Sequence, residues 1–449
     1  MTISNNQTSA VNKELILEVS KTKEEPEWMR DIRLNALEIY KQSSIPKYMP
    51  AKYRDQIRFD ELAYYVRATE ALSNSWDDVP ESIRETLKNI GIQDAEQKYL
   101  AGLTVQVENG AVYQSIQDRL KKKGVIFSDL DSAVKNYPEL VKKHFSKIMP
   151  PESNIFAALN TALWSGGVFL YVPAGVDVAI PLQSYFRINR PNLGQLEHTV
   201  IMLEEGAKVH YIEGCSAPIY SKADLHAGVV EAFVGKNATL KFTTIQNWSD
   251  NVLNISNKRA IAMEGSFVDW VDANMGAGLN MKYPTVILSG EGARAKSLSL
   301  LFAKSGHVHD AGARMIHLAP NTSSTMTSKT VVKGGGNAVA RGLVRVVKDA
   351  HGVKARSRCD ALILDKSAKS ITVPVLDVLE ADADVGHEAT VSRLGEDQLF
   401  YLMSRGLTEE EATFTVVNGF VADFIKTLPM EYALEMNRLI KLEMKGAQG

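Results

Sequence analysis

With 449 residues, 45% of them apolar, the chain has enough length for two or three domains and a large buried core. Lys+Arg number 51 against 53 Asp+Glu, a formal net charge of −2, which removes any electrostatic reason to expect nucleic acid or an anionic membrane as partner. No apolar run approaches the ~18–20 residues of a membrane-crossing helix, and the opening MTISNNQTSAVNKELILEV has neither signal- nor transit-peptide character, so a cytoplasmic protein is expected.

Residues 1–150 read as a mostly helical domain. Trp28, Ile32, Ala36, Ile39 and Tyr40 recur at spacings of three and four and so share one helix face. Lys121–Lys123 marks a solvated surface, and Pro150-Pro151 closes the zone.

Residues 151–395 change texture, to short β-rich segments punctuated by Gly, Asn and Pro. A small or polar turn leads into alternating strand residues again and again. The instances are Gly206-Ala207-Lys208-Val209, Asn237-Ala238-Thr239-Leu240, Gly265-Ser266-Phe267-Val268, Gly292-Ala293-Arg294-Ala295, Asn321-Thr322-Ser323 and Gly352-Val353-Lys354. The second residue of each turn recurs at intervals of 31, 28, 27, 29 and 31, a stacked-repeat period. No helical periodicity separates the strands, which disfavours a wound βαβ sheet, and an ordinary sandwich gives no reason for so even a spacing. The expected fold is mainly β: a right-handed parallel β-helix flanked by N-terminal and C-terminal helical regions.

From residue 396 to 449 the helical pattern returns. Thr408 followed by Glu411 reads as a capping box, Gly419 and Pro429 are expected to divide the helical stretch it opens, and Met430, Ala433, Met436, Ile440 and Met444 form a stripe on the last helix.

The period places the chemically interesting residues. In a β-helix, residues one period apart lie above one another at ~4.8 Å. Cys215 and Gln246 each fall eight residues past their turn marker, so they sit on adjacent rungs and point the same way. Cys359 and Glu388 differ by 29 and could be rung neighbours, but His387 and Glu388 cannot both face Cys359 from an undistorted strand. Spacing alone leaves that choice open, and a bulge at Gly386 would admit both. Cys215 and Cys359, the only two cysteines, are about five periods apart with even offsets. They can therefore share a face roughly 24 Å apart along the stack, too far for a disulfide but compatible with a sulfur relay. Thiolate, imidazole and carboxylate together make an exchangeable iron site.

Three other motifs carry less. Gly290–Ser297 has the look of a phosphate loop but lacks the Gly before its Lys and any strand–loop–helix setting, so ATP binding belongs to another chain. His307 and His309 alternate on a strand and share a face, with His317 nearby; of metal binding and strand-surface histidines, the second is the expected reading. Gly334-Gly335-Gly336 reads as a turn between coils.

Taken in order, Pro26–Met29, Gln97–Gly102, Tyr185–Asn189, Glu213–Pro218, Gln246–Trp248, Cys359-Asp360, His387–Thr390, Gln398–Tyr401 and Arg405–Leu407 resemble the SufB/SufD family of the Suf iron–sulfur assembly machinery. The resemblance implies a non-enzymatic scaffold with a β-helix between helical ends. It implies that Cys215 takes persulfide sulfur from a cysteine-desulfurase-linked donor, with Arg187, Asn189, Gln246, Trp248 and Lys258 along the route. It implies a transient cluster on Cys359 with Glu388 and His387 near a subunit interface. The interface would be with a SufD-like chain or a second copy of itself, and a SufC-like ATPase would dock on the C-terminal helices. Reduced flavin is left open as a contributor in the complex. Many members carry Glu-His-Glu where this chain has Gly386-His387-Glu388. The reading asks for a thiolate at Cys215, with Arg187 or Lys258 lowering its pKa. The rivals are a structural SufD-like member of the same assembly, disfavoured by the joint presence of Cys215, Cys359 and Glu388, and a β-helix enzyme acting on polysaccharide.

Overall fold

The structure, a computed structural model, describes residues 11–55, 57–65, 72–89, 92–189, 192–217 and 224–444. The first ten residues and Pro218, the last of the Glu213–Pro218 motif, lie outside them. Each repeat turn is held by a residue in the left-handed region: Gly206, Asn237, Gly265, Gly292, Asn321 and Gly352 have φ between 56° and 69°. Glycine and asparagine are the residues that adopt this conformation at least cost, which is why these two types alone fill the position. The next residue turns inward, and Ala207, Ala238, Ser266, Ala293, Thr322 and Val353 are all buried. Successive turns also stack. A Cβ on Gly352 would come within 2.6 Å of Asn321 Oδ1 in the coil before it.

The chain alternates between two sheets. The first carries, in spatial order, Gly110–Ile116, Gly102–Val107, Asp177–Arg187, Lys208–Ser216, Thr239–Trp248, Phe267–Gly276, Arg294–Ala303, Ser323–Val332, Lys354–Ile363 and Asp384–Arg393. All its pairings are parallel except the opening pair, Gly110–Ile116 with Gly102–Val107. The second runs from Ile126–Asp129 through Val168–Val172, His198–Leu203, Val229–Val234 and Val252–Ala262 to Val308–His317, Asn337–Val346 and Lys369–Val378. Between the sheets lies an apolar core containing Leu240, Phe242, Trp270, Val286, Met315, Met326, Val344 and Ala355. This is a parallel β-solenoid with helices at both ends.

Helices Lys13–Thr22, Glu27–Gln42 and Ile155–Leu163 pack over the second sheet through Leu225, Leu253 and Leu279. The buried stripe of Glu27–Gln42 is Met29, Arg33, Ala36 and Leu37; of the expected face Ala36 lies within it, and Trp28, Ile32 and Tyr40 pack half-buried against neighbouring cores. Arg33 can join the stripe because it arrives paired, donating to both carboxylate oxygens of Glu25 at 2.6 and 2.8 Å over the Trp164 ring. Within the zone expected to be mostly helical, residues 102–129 supply three strands and only one short helix, Asp118–Lys122, and Gly102–Val107 joins the first sheet in parallel with Asp177–Arg187. At the other end, Thr408 and Glu411 form the capping box of Glu409–Ile425. That helix passes through Gly419 unbroken. The cost of glycine in a helix, ~1 kcal/mol, is offset by Val417, Val421 and Phe424 packing on the outer face of the first sheet at Val271, Leu298 and Leu362. Ala433, Met436, Ile440 and Met444 pack there too, so the last-helix stripe is intramolecular at those positions; the side chain of Met430 lies outside the described residues. Among the described residues no helix is long and apolar enough to cross a membrane.

Candidate functional site

Cys215 lies on Lys208–Ser216 with Phe186 opposite it on one neighbouring strand and Gln246 on the other, as the period requires. Its alternation with Val209 and Tyr211 points it into the lumen, where it is 2% exposed. Burial pushes its thiol well above the ordinary range, and Glu213 and Glu197 push the same way. Lys258 and Lys282 oppose without prevailing, so Cys215 is a neutral thiol at neutral pH. The expected thiolate is therefore corrected. The reason is geometric as well: Arg187 sits on the outer side of the sheet, donating from Nη1 to Ser216 Oγ at 3.1 Å and from Nε to Asn189 Oδ1 at 2.7 Å. Lys258 does point inward, but its ammonium donates to Glu213 and Thr244, each at 2.7 Å. The two charges satisfy one another. Asn189 is tied back through its backbone N–H to Glu108.

Beyond Cys215 the lumen is polar. Gln246 Oε1 accepts from Asn254 at 2.6 Å and from Lys282 at 3.2 Å, and Lys282 also donates to Asp272 at 2.9 Å. Asn254 Oδ1 meets His226, whose ring contacts Glu197 on one side and lies 4.6 Å from the Trp248 indole. Two donors in this network, Gln246 Nε2 and Trp248 Nε1, are buried with no acceptor among the described residues. Orphaned buried donors are costly and mark a place where an acceptor belongs.

From Asp272 the strand register continues rung by rung: Asp272 opposite Ser299, Ser299 opposite Ser328, Ser328 opposite Cys359. The two cysteines are thus joined by an inner polar path, Cys215–Gln246–Lys282–Asp272–Ser299–Ser328–Cys359. They stand five strands apart, about 24 Å along the stack. Cys359 is 6% exposed, and burial, with Asp360 adding, pushes its thiol up to about 11.

The last rung settles where its neighbours point. Cys359 pairs with Ala389, Ser357 with His387 and Arg358 with Glu388, in unbroken register from Lys354 to Ile363. There is no bulge at Gly386. His387 therefore shares the inner face with Cys359 as a diagonal neighbour, and its Nε2 is buried without a partner among the described residues. Glu388 is not the residue opposite Cys359. It faces outward, 3.6 Å from Arg358 Nε, which also donates to Asp360.

The three histidines read as surface groups are buried. His307 meets Asp250, His309 donates to the carbonyls of Gly276 and Ala277, and His317 sits between Thr322 and Ser324. Desolvation lowers His309 to about 3 and His317 to about 4. Asp349, His351 and Glu380 come together at a solenoid corner, but Glu380 is accepting the Asp349 backbone N–H there as Asp382 accepts that of Gly352. They tie turns. Gly292 opens a strand, not a helix, so Gly290–Ser297 is another repeat turn.

Sequence reasoning missed Asp272, Lys282, Ser299 and Ser328. Counting back from Cys359 by 31, 29 and 27 lands on Ser328, Ser299 and Asp272, a signal present in the repeat. Lys282 belongs to the second sheet, where Leu279–Lys282 and Thr285–Leu288 interrupt the rhythm and hide its register.

A parallel β-solenoid whose two thiols share one polar lumen defines the class. Residues 18–184 match the family model described as the SufBD protein N-terminal region, and residues 186–420 match that of the SUF system FeS cluster assembly, SufBD core domain. The chain is 49% identical over 439 residues to the iron–sulfur cluster assembly protein SufB of Bacillus subtilis, covering 98% of this chain and 94% of that one. It is 50% identical over 435 residues to an iron–sulfur cluster assembly SufBD family protein of Staphylococcus haemolyticus, covering 97% and 93%. The chain belongs to the SufB/SufD family of iron–sulfur cluster assembly proteins.

Proposed function

We propose that this chain is the scaffold of its assembly system. It accepts persulfide sulfur at Cys215 from a cysteine-desulfurase-linked donor, passes it along the lumen and builds a transient cluster, its cargo, at Cys359. The single observation that carries this reading is the continuous inner polar path joining the chain's only two cysteines. Gln246 and Trp248 offer the orphaned donors for anionic sulfur, and Lys258 and Lys282, each paired with a carboxylate, line the same stretch. Arg187 and Asn189 act from the outer side of the Cys215 strand, where sulfur arrives. Two electrons and one proton convert a hydropersulfide on Cys215 to thiol and hydrosulfide; reduced flavin in the assembled complex is the reductant in this reading.

At the far end His387 joins Cys359 from the last rung; Glu388, on the outer face beside Arg358, becomes a ligand when a partner chain displaces this edge strand and brings its carboxylate round to Cys359. That rung is an edge. Lys369–Val378 and Asp384–Arg393 end their sheets, with Ile371, Val375, Leu376 and Val391 exposed. A SufD-like chain, or a second copy, would cover such an edge and place Cys359 at the interface. Phe400 (74% exposed) and Tyr401 on Glu396–Ser404 offer a docking surface to a SufC-like ATPase, all in the cytoplasm.

The test is anaerobic reconstitution with iron. Cys359→Ser is expected to abolish cluster acquisition with either free sulfide or a persulfide donor. Cys215→Ser is expected to block the persulfide route and spare the sulfide route; equal loss by both routes would remove Cys215 from the role of acceptor.

A further inference from the structure

The lumen beside Cys359 is built unlike the rest. Ser297, Ser299, Ser328 and Ser357 all point inward and are at most 8% exposed. Valine, leucine or isoleucine would fill these rungs more stably, because a buried hydroxyl forfeits apolar packing and needs a partner. Ser328 Oγ has none among the described residues. Across from the serines, the second sheet presents Ala313 and Gly342. The φ of Gly342 lies outside the left-handed region, so the backbone does not call for glycine there. What glycine supplies is room: a Cβ at 342 would come within 3.1 Å of Ser357 Oγ and 3.5 Å of Met326 Cε. The serines, Gly342 and Cys359 border a gap that admits about one water-sized occupant.

The chain offers no thiol between Cys215 and Cys359, and the two lie about 24 Å apart. A covalent hand-over between them within this chain is impossible, so sulfur crossing the lumen travels as a small, non-covalently held species. We infer that the serine-lined gap is a holding site for hydrosulfide, one step before it bonds to iron at Cys359. Ser299 and Ser328 donate hydrogen bonds to the anion, and Gly342 keeps the gap open. All three are positioning residues. No bond is made or broken in the gap; the electrons that release hydrosulfide are consumed at Cys215. This inference rests on the two-thiol reading and deepens it.

The experiment uses the full chain purified anaerobically with its partner chains. Cys215 is loaded with 34S persulfide, ferrous iron and reductant are added, and label in the cluster is followed by mass spectrometry. Gly342→Val and Ser328→Ala are expected to slow delivery about tenfold or more, the loss of one hydrogen bond to a charged species, with label accumulating unspent upstream of Cys359. Parent-rate delivery in folded Gly342→Val and Ser328→Ala proteins would overturn the inference and leave a gap that holds only water, with the two-thiol reading intact. Should Gly342→Val fail to fold, Ser328→Ala decides alone. No delivery to Cys359 in the parent protein would bring down the two-thiol reading and this inference together.

Discussion

The two ends of the lumen solve opposite problems with opposite materials. Around Cys215 the interior is charged, and the charge is bound: Lys258 with Glu213, Lys282 with Asp272, both pairs within 2.9 Å and almost fully buried. Around Cys359 the inward side chains are mostly small and uncharged, serine, alanine and glycine, and the two arginines that also border the gap, Arg341 and Arg358, are paired with Asp310 and Asp360. Strong fixed charge suits a place where an anion must first be drawn out of water. Weak hydroxyl donors suit a place it must leave. The contrast teaches that polarity inside a solenoid can be graded along its axis while the backbone repeat stays the same.

That contrast can be broken by substitution. Lys258→Met strands a buried carboxylate and should cost about 3–5 kcal/mol in a denaturant titration. The double variant Lys258→Met, Glu213→Leu should recover most of it; a double variant as unstable as the single would mean the pair is not an isolated unit. At the other end, Ser299→Ala should change stability by less than about 1 kcal/mol. A loss comparable to that of Lys258→Met would erase the difference between the ends.

The thiols sharpen it further. Burial disfavours the charged thiolate, so both resist alkylation at neutral pH, and reactivity must rise with pH, not fall. For Cys359, displaced to about 11 from the ordinary 9.0, iodoacetamide at pH 8 should react about a hundredfold more slowly than with an unperturbed thiol, recovering as pH climbs toward 11. Cys215 should stay unmodified across that range while the fold holds. Rapid labelling of Cys215 at pH 8 would show that the Cys215 end opens readily.

Much of this was legible in the residues. The left-handed Gly/Asn turns carried the solenoid, and the offset of eight paired Cys215 with Gln246 correctly, because a parallel stack preserves register. Where the repeat is irregular the reading failed: Lys282 lies in the broken part of the second sheet, and residues 102–129 join the stack before the rhythm starts. Spacing left open whether His387 or Glu388 faces Cys359, and the register turns His387 inward and Glu388 outward, because one residue on a strand is the whole difference between inside and outside. Arg33, His307 and His309 were hidden because their burial depends on partners far away in sequence, such as the Ala162 and Trp164 carbonyls for Arg33 and Asp250 for His307.

The left-handed turn that recurs in coil after coil also makes the molecule a ruler. Every circuit adds a fixed increment, so the interval between the two sulfurs comes only in whole steps of about 4.8 Å. Loss or duplication of one complete circuit, such as residues 266–292, shortens or lengthens that interval by a single graduation and leaves the orientation of every side chain on either side unchanged.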